Sequence, residues 1–201
     1  GLGSIYWHMV SKLLVAAQEN CLLAIKTNES EEVIGRLLEH YYEINEGIGV
    51  HKSPELYGAF PTDPYSHTPA GKGAQQPGMT GQVKEDILAR FYEIGVFVKE
   101  GTIHFSPRLL RNEEFLSRSK DFVYIDIHGD KKTLILESEA FCFTYCQIPV
   151  IYQKSDKKGM KVFFEDDSNT EFDHLVLDSA ISKKIFERSG DVKKIIVFIN
   201  R

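Results

Sequence analysis

Residues 117–127 have the sequence Ser-Arg-Ser-Lys-Asp-Phe-Val-Tyr-Ile-Asp-Ile, and the hydrophobic period of the chain changes within them. Before this stretch, apolar side chains recur every three to four residues, which is typical of helices. From Phe122 onward they alternate with polar side chains, which is typical of strands with one buried face. The chain is therefore predicted to be an α+β protein, with a helical region at 1–118 and a β region at 119–201.

Three helices are predicted in the first region. The first, at residues 5–25, carries apolar residues on most of its faces and should be buried nearly all round. The second follows Asn28 or Ser30, either of which can cap a helix, and it ends at Gly47. The third ends at Gly95. Its inward stripe is expected to consist of four apolar side chains at helical spacing: Val83, Ile87, Phe91 and Ile94.

About seven short strands are predicted in the second region, separated by turn residues. Their regular spacing favours an antiparallel β-sandwich. The predicted strands are residues 122–127, 133–137, 141–153, 161–164, 172–177, 181–186 and 192–199.

A long loop at residues 47–81 joins the second and third helices. It contains five of the seven prolines and seven of the fifteen glycines, so neither a helix nor a strand can run through it. Its aromatic rings lie beside Asp63, His67 and two glutamines. Sugars are bound by such combinations, because a pyranose offers apolar C–H faces and paired hydroxyls. The alternative is structural: Asp63 satisfies turn amides while the rings fix the loop to the helices.

Carboxylates near the loop allow acid/base chemistry. Glu55, Asp63 and Glu85 are candidates for an acid/base pair, which is defined by distance in space and not by spacing in sequence. Glu85 and Asp86 also suit the first turn of the third helix, where the helix dipole favours negative charge.

The charge balance argues against two classes of partner. The chain has 24 basic and 29 acidic residues and a formal net charge of -5, so it has no excess of Lys and Arg for a phosphate backbone. No apolar run approaches the roughly 20 residues of a membrane span. We therefore expect neither nucleic acid nor membrane as a partner. Three cysteines without a disulfide pattern predict free thiols in a reducing compartment, the cytoplasm, and no Cys or His spacing predicts a metal site.

Three stretches resemble a known family. They are residues 3–14 (Gly-Ser-Ile-Tyr-Trp-His-Met-Val-Ser-Lys-Leu-Leu), 57–69 (Tyr-Gly-Ala-Phe-Pro-Thr-Asp-Pro-Tyr-Ser-His-Thr-Pro) and 75–85 (Gln-Gln-Pro-Gly-Met-Thr-Gly-Gln-Val-Lys-Glu). They are similar to the carboxy-terminal part of large bacterial proteins related to cellobiose phosphorylase and other six-hairpin glycosidases. The resemblance implies the end of an (α/α)6 toroid, about three helices and the long loop, followed by the β-domain that closes such proteins.

The resemblance also implies a reaction, the cleavage of a glycosidic bond by phosphate or water with a carboxylic acid protonating the leaving oxygen. In such phosphorylases that acid lies earlier in the barrel, so no residue of this chain is assigned a catalytic role and no turnover is expected of the chain alone. No cofactor is implied, although inorganic phosphate is a possible co-substrate. The candidates for contact with carbohydrate or phosphate are six loop residues: Tyr57, Asp63, Tyr65, His67, Gln75 and Gln76.

Two hypotheses about function follow. In the first, the chain is the carboxy-terminal fragment of a carbohydrate-active enzyme, and its start without Met lies inside the larger protein. In the second, it is a stand-alone carbohydrate-binding or scaffolding module. The first predicts that the stripe including Trp7, Met9 and Leu13 is exposed, or covered by the remainder of the parent protein or a second copy of the chain.

Overall fold

The computed structural model describes residues 7–48 and 80–200. The chain is an α+β protein in which helices come first and strands predominate afterwards, as predicted. It divides between Glu93 and Ile94 into two compact units, which we call the helical unit and the β unit. Among the described residues, no helix has the length and apolar character needed to cross a bilayer.

The described part of the helical unit consists of α1 (Trp7–Lys26), α2 (Glu31–Ile48) and α3 (Thr80–Ile94). After α1, Asn28 takes a left-handed φ of 56°. The hydroxyl of Ser30 then accepts a hydrogen bond from the Val33 amide at 3.3 Å, which caps α2. The predicted turn between the first two helices is confirmed, with Ser30 as the cap.

The first helix buries one side only. Ser11 and Gln18 are fully buried on α1, whereas Met9 and Leu13 are 62% and 56% exposed. The expectation of a helix buried nearly all round is therefore wrong for this chain. The exposure of Met9 and Leu13 agrees with the stripe that the first hypothesis predicts, and the Trp7 side chain of that stripe lies outside the described ones.

The third helix corrects a second prediction, because its inward side is polar. Its buried positions are Glu85, Ala89, Glu93 and Ile94. Of the predicted stripe, Ile94 is buried as expected, whereas Ile87 and Phe91 are 52% and 39% exposed, and the Val83 side chain lies outside the described part of the chain. Both sets recur at helical spacing, so the sequence offers two candidate faces. The face that packs is the one whose polar groups find partners on α1 and α2.

Within the described residues, the β unit contains nine strands, one short 3₁₀ helix (Asn112–Glu114) and one α-helix, α4 (Ser179–Phe186). The strands are β1 (Val96–Lys99), β2 (Thr102–Phe105), β3 (Lys120–Ile125), β4 (Lys131–Leu136), β5 (Ala140–Tyr145), β6 (Ile148–Ser155), β7 (Gly159–Phe164), β8 (Asn169–Phe172) and β9 (Val192–Asn200). β1 pairs with β2 and β3 with β4, and the remaining strands form one sheet in the order β5-β6-β9-β7-β8.

The five-stranded sheet is mixed, which corrects the prediction of an all-antiparallel arrangement. β6 and β9 pair in parallel, while the other neighbours are antiparallel. The predicted strand 181–186 is the helix α4, whose first amides are capped by Asp178 through a 2.7 Å hydrogen bond from the Ile181 amide. Ile181 and Ile185, four residues apart, are the buried residues that hold this helix on the core.

Three further strand predictions change. The hairpin of β1 and β2 lies before residue 119, inside the region predicted to be helical. The predicted strand 141–153 is the hairpin of β5 and β6, which turns at Cys146 and Gln147 with left-handed φ values of 49° and 66°. Of the predicted strand 172–177, only Phe172 belongs to β8. All three cysteines are free thiols, as predicted.

Apolar side chains cover the sheet on both faces, since neighbouring residues of a strand point to opposite sides. Tyr152 of β6 packs in one cluster with Ile103 and Ile185, and Ile151 packs in another with Leu136 of β4. Gly95 separates α3 from β1. Its φ is 68°, and a Cβ there would lie 2.1 Å from the Ser106 carbonyl oxygen, so only glycine fits.

Candidate functional site

The six predicted contact residues lie outside the described residues, as does Glu55 of the acid/base candidates. Tyr57, Asp63, Tyr65, His67, Gln75 and Gln76 belong to the segment between α2 and α3, and their roles stay predictions. The polar interior of the helical unit lies on α3, which follows that segment in the chain, and on the facing sides of α1 and α2.

Glu93 is the centre of a hydrogen-bonded group with Tyr41, Asn45 and Arg90, which we call the Glu93 cluster. Its Oε1 accepts hydrogen bonds from the Tyr41 hydroxyl at 2.5 Å and from the Asn45 amide at 3.3 Å. Its Oε2 accepts one from the Arg90 guanidinium at 2.6 Å. Burial, and then the charge of Glu93, raise the pKa of Tyr41 far above its ordinary range, so the hydroxyl stays a donor. Because both carboxylate oxygens are occupied, we infer that Glu93 joins α2 to α3 structurally.

Gln18 joins α1 to α3 in a similar way. Its side-chain amide donates a hydrogen bond to the Ala89 carbonyl at 2.9 Å. Its Oε1 is buried without a hydrogen-bond partner among the described residues, as are the Ser11 hydroxyl and the Asn45 Oδ1. Buried polar atoms in folded proteins normally have a partner, so these atoms leave capacity for a water or a ligand.

Glu85 and Asp86 form the part of the interior that is suited to a ligand, and we call them the Glu85–Asp86 pair. Glu85 is only 6% exposed, and neither its Oε2 nor the Asp86 Oδ1 has a hydrogen-bond partner among the described residues. Burial, and then the charge of Glu85, raise the pKa of Asp86 above its ordinary value. Two such carboxyl groups can accept hydrogen bonds from ligand hydroxyls, and Asp86 retains its proton to higher pH than an exposed aspartate.

The raised pKa of Asp86 predicts a pH-dependent change in stability for Asp86→Asn. The folded chain holds this proton more tightly than the unfolded chain, so ionisation destabilises the fold as the pH rises above the ordinary value of 3.8. At neutral pH the amide, which carries no charge, should raise the free energy of unfolding by about 1 kcal/mol. Below the ordinary value Asp86 is protonated in the folded and in the unfolded wild type. The difference in stability between the wild type and Asp86→Asn should then disappear. Urea unfolding at both pH values measures it, and a variant less stable than the wild type at neutral pH would contradict the assignment.

Sequence reasoning named Glu85 and Asp86 but missed the Glu93 cluster. Tyr41 and Asn45 lie one helical turn apart on α2, and Glu93 lies two turns after Glu85 on α3. This spacing was a usable signal of a polar inward face, because residues four apart share a side of a helix. The predicted apolar stripe of α3 has the same helical spacing, and it was predicted to face inward instead. Within residues 7–48 and 80–200, no three His, Cys, Asp or Glu side chains are grouped to hold a metal ion.

Comparison of the chain with protein-family models and with curated proteins finds no match. The assignment of the site therefore depends on the residues and on their geometry.

Proposed function

We propose that the chain is the carboxy-terminal part of a carbohydrate-active enzyme that cleaves glycosidic bonds by phosphorolysis or hydrolysis. The observation that carries the proposal is the inward polar face of α3, where Glu85 is buried and Asp86 half-buried, and where the Glu85 Oε2 and the Asp86 Oδ1 have no hydrogen-bond partner among the described residues. An unpaired buried carboxyl destabilises a fold, so its presence is best explained by a ligand that completes its hydrogen bonds. The resemblance of residues 57–69 and 75–85 to six-hairpin glycosidases supports carbohydrate as that ligand.

In this proposal the helices form one wall of an (α/α)6 toroid, and the loop after α2 brings aromatic and polar side chains to the sugar. Asp63 and His67 contact hydroxyls or phosphate there, and the Glu85–Asp86 pair accepts hydrogen bonds at the start of α3. A single wall cannot exclude water or orient a substrate for reaction. The chain alone should therefore bind sugar without turning it over.

The exposed apolar residues of α1 and α3 support a larger assembly. A set of apolar side chains, which we call the apolar face, is exposed on these helices: Met9, Leu13, Leu23, Ile87, Leu88 and Phe91. Large apolar side chains are normally exposed singly, so three on each of two helices that the Gln18–Ala89 hydrogen bond joins favour a partner that covers them. We propose that the remaining helices of the parent enzyme cover it, or a second copy of the chain in their place.

A stand-alone carbohydrate-binding or scaffolding module is the second candidate function. It is favoured by the self-contained core of the β unit, where residues from both hairpins, the sheet and α4 pack together. A reading frame that continues upstream into further paired helices would support the enzyme, whereas a start codon just before Leu2 would support the module.

Sugar binding by the chain is the experiment that tests the proposal. Common disaccharides and inorganic phosphate are titrated into the wild type and into Asp63→Ala and His67→Ala, with heat as the readout. We expect saturable binding of a disaccharide by the wild type. Each variant should weaken it roughly tenfold, the equivalent of one hydrogen bond to a charged or polar group. Binding that is unchanged in both variants would remove the loop from the site, and absence of binding by the folded wild type would contradict the function.

A further inference from the structure

The β unit contains a cleft that the proposed function does not use. It has a volume of about 350 Å³ and lies between the end of the β3–β4 hairpin, the turn between β5 and β6, and the residues at the start of β9. We call it the hairpin cleft. The polar side chains that line it include Tyr124, Asp126, Lys132, Gln147, Glu165 and Lys193.

Hydrogen bonds fix one wall of the hairpin cleft. The Asp126 Oδ1 accepts from the backbone amides of His128 and Asp130, both at 2.9 Å, which closes the turn between β3 and β4. The Gln147 side-chain amide donates to the Asp126 carbonyl at 2.9 Å and so joins this turn to the turn between β5 and β6. Gln147 has a left-handed φ of 66°, a conformation that glycine would adopt without strain. The wall is therefore built around a glutamine side chain at a position where the backbone favours glycine.

The charges of the hairpin cleft cancel. Asp126 and Glu165 are balanced by Lys132 and Lys193, and both ammonium groups already have carboxylate partners. Lys132 lies 3.4 Å from Asp126, and Lys193 lies 3.0 Å from Asp167. An anionic ligand would have to displace these partners, and an apolar ligand would bury the polar groups without hydrogen bonds. A neutral ligand with several hydroxyls suits the lining, because a hydroxyl donates to a carboxylate and accepts from an ammonium group.

Tyr124 adds an aromatic surface to this lining. It is half-buried and stacks on Phe122 with 6.1 Å between the ring centroids. Burial, and then the charges of Asp126 and Glu165, raise the pKa of Tyr124, so its hydroxyl stays a donor near neutral pH. A half-buried ring with a polar tip offers both contacts that a sugar ring needs, the apolar C–H face and the hydroxyl edge.

We propose that the hairpin cleft binds a neutral, polyhydroxylated ligand of one or two sugar rings, at a site built entirely from the β unit. The volume lies at the lower end of the range for small-molecule pockets, roughly 300–1,000 Å³, which suits such a ligand better than a longer oligosaccharide. The site is independent of the Glu85–Asp86 pair, and it requires no catalysis.

Calorimetric titration with glucose, cellobiose and inorganic phosphate tests this site. The experiment uses the full chain carrying Glu85→Gln, which alters the helical unit and leaves the hairpin cleft intact. Saturable binding of glucose or cellobiose should persist in this chain. Adding Tyr124→Phe or Glu165→Gln should weaken it roughly tenfold in each case. Lys157→Gln, a matched loss of an exposed charged group in the turn between β6 and β7, should leave it unchanged.

The outcomes separate this inference from the proposed function. If Glu85→Gln removes all sugar binding while the circular dichroism spectrum is retained, the proposal that the hairpin cleft binds sugar is wrong. The helical site is then supported. If sugar binding persists and neither Tyr124→Phe nor Glu165→Gln weakens it, the proposal that the hairpin cleft binds sugar is also wrong. Saturable binding of phosphate in competition with sugar would contradict the neutral ligand. Weakening by the cleft variants with no effect of Glu85→Gln supports the cleft and contradicts the helical site.

Discussion

Replacing Glu93 with alanine should lower the free energy of unfolding of the helical unit by about 2–4 kcal/mol. The substitution removes the acceptor shared by Tyr41 and Asn45, and both donors are buried. A buried donor without an acceptor costs about 1–3 kcal/mol, more than the hydrogen bond itself contributes, because the group loses water as well. Arg90 adds little to this cost, since it is partly exposed and water can replace its partner.

Urea unfolding followed by tryptophan fluorescence measures this effect in the helical unit. Trp7 is the only tryptophan of the chain and lies in α1, so the signal reports on this unit. Tyr41→Phe removes one donor and should cost about 1–2 kcal/mol. Glu43→Ala removes an exposed carboxylate of α2 whose ion-pair partner in the described part of the chain is the exposed His40, and it should change stability by less than about 0.5 kcal/mol. Equal costs for Glu93→Ala and Glu43→Ala would contradict the structural role of the Glu93 cluster.

The second large effect is expected on self-association through the apolar face. With no other helices present, we expect the chain to associate with itself and to show a mass that rises with concentration in light scattering. Leu13→Gln combined with Ile87→Gln should weaken this association by roughly a hundredfold or more, because each buried aliphatic side chain contributes about 1.5–3 kcal/mol. Both residues are exposed in the single chain, so the fold should be retained.

The control for this experiment replaces neighbouring polar residues on the same helices. Lys12 and Lys84 lie beside residues of the apolar face and are exposed. Lys12→Gln and Lys84→Gln should therefore leave the association unchanged. A wild-type chain that stays monomeric at every concentration would show that nothing needs to cover this face, and the larger assembly would lose its support.

The sequence predicted those turns and helix ends that depend on the backbone preferences of a few neighbouring residues. The turn at Asn28 and Ser30 and the stop at Gly95 follow from backbone preferences that each residue carries itself. The hairpin of β1 and β2 had such a signal too, because Glu100 and Gly101 form its left-handed turn between two alternating segments. That hairpin could have been predicted from the sequence.

Other features depend on distant partners and could not be predicted in the same way. The inward side of α3 is chosen by Tyr41 and Gln18, which are 52 and 71 residues from their partners in the chain. The turn at Cys146 and Gln147 contains neither glycine nor asparagine, so nothing in the sequence marks the end of β5. Residues 181–186 are short and apolar, and in such a segment a buried strand and a buried helix have the same pattern. Asp178 was the available sign that a helix begins there.

The most direct test of the account is a calorimetric titration of disaccharide into the wild type and into Glu85→Gln. We propose that the Glu85–Asp86 pair, in which Glu85 is buried and Asp86 half-buried, is kept for a hydroxyl-rich ligand, although it destabilises the fold. Glu85→Gln should therefore weaken disaccharide binding at the helical site roughly tenfold or more while the free energy of unfolding stays equal or rises. Undiminished binding in Glu85→Gln, or a chain that unfolds more easily because this carboxylate is lost, would contradict it.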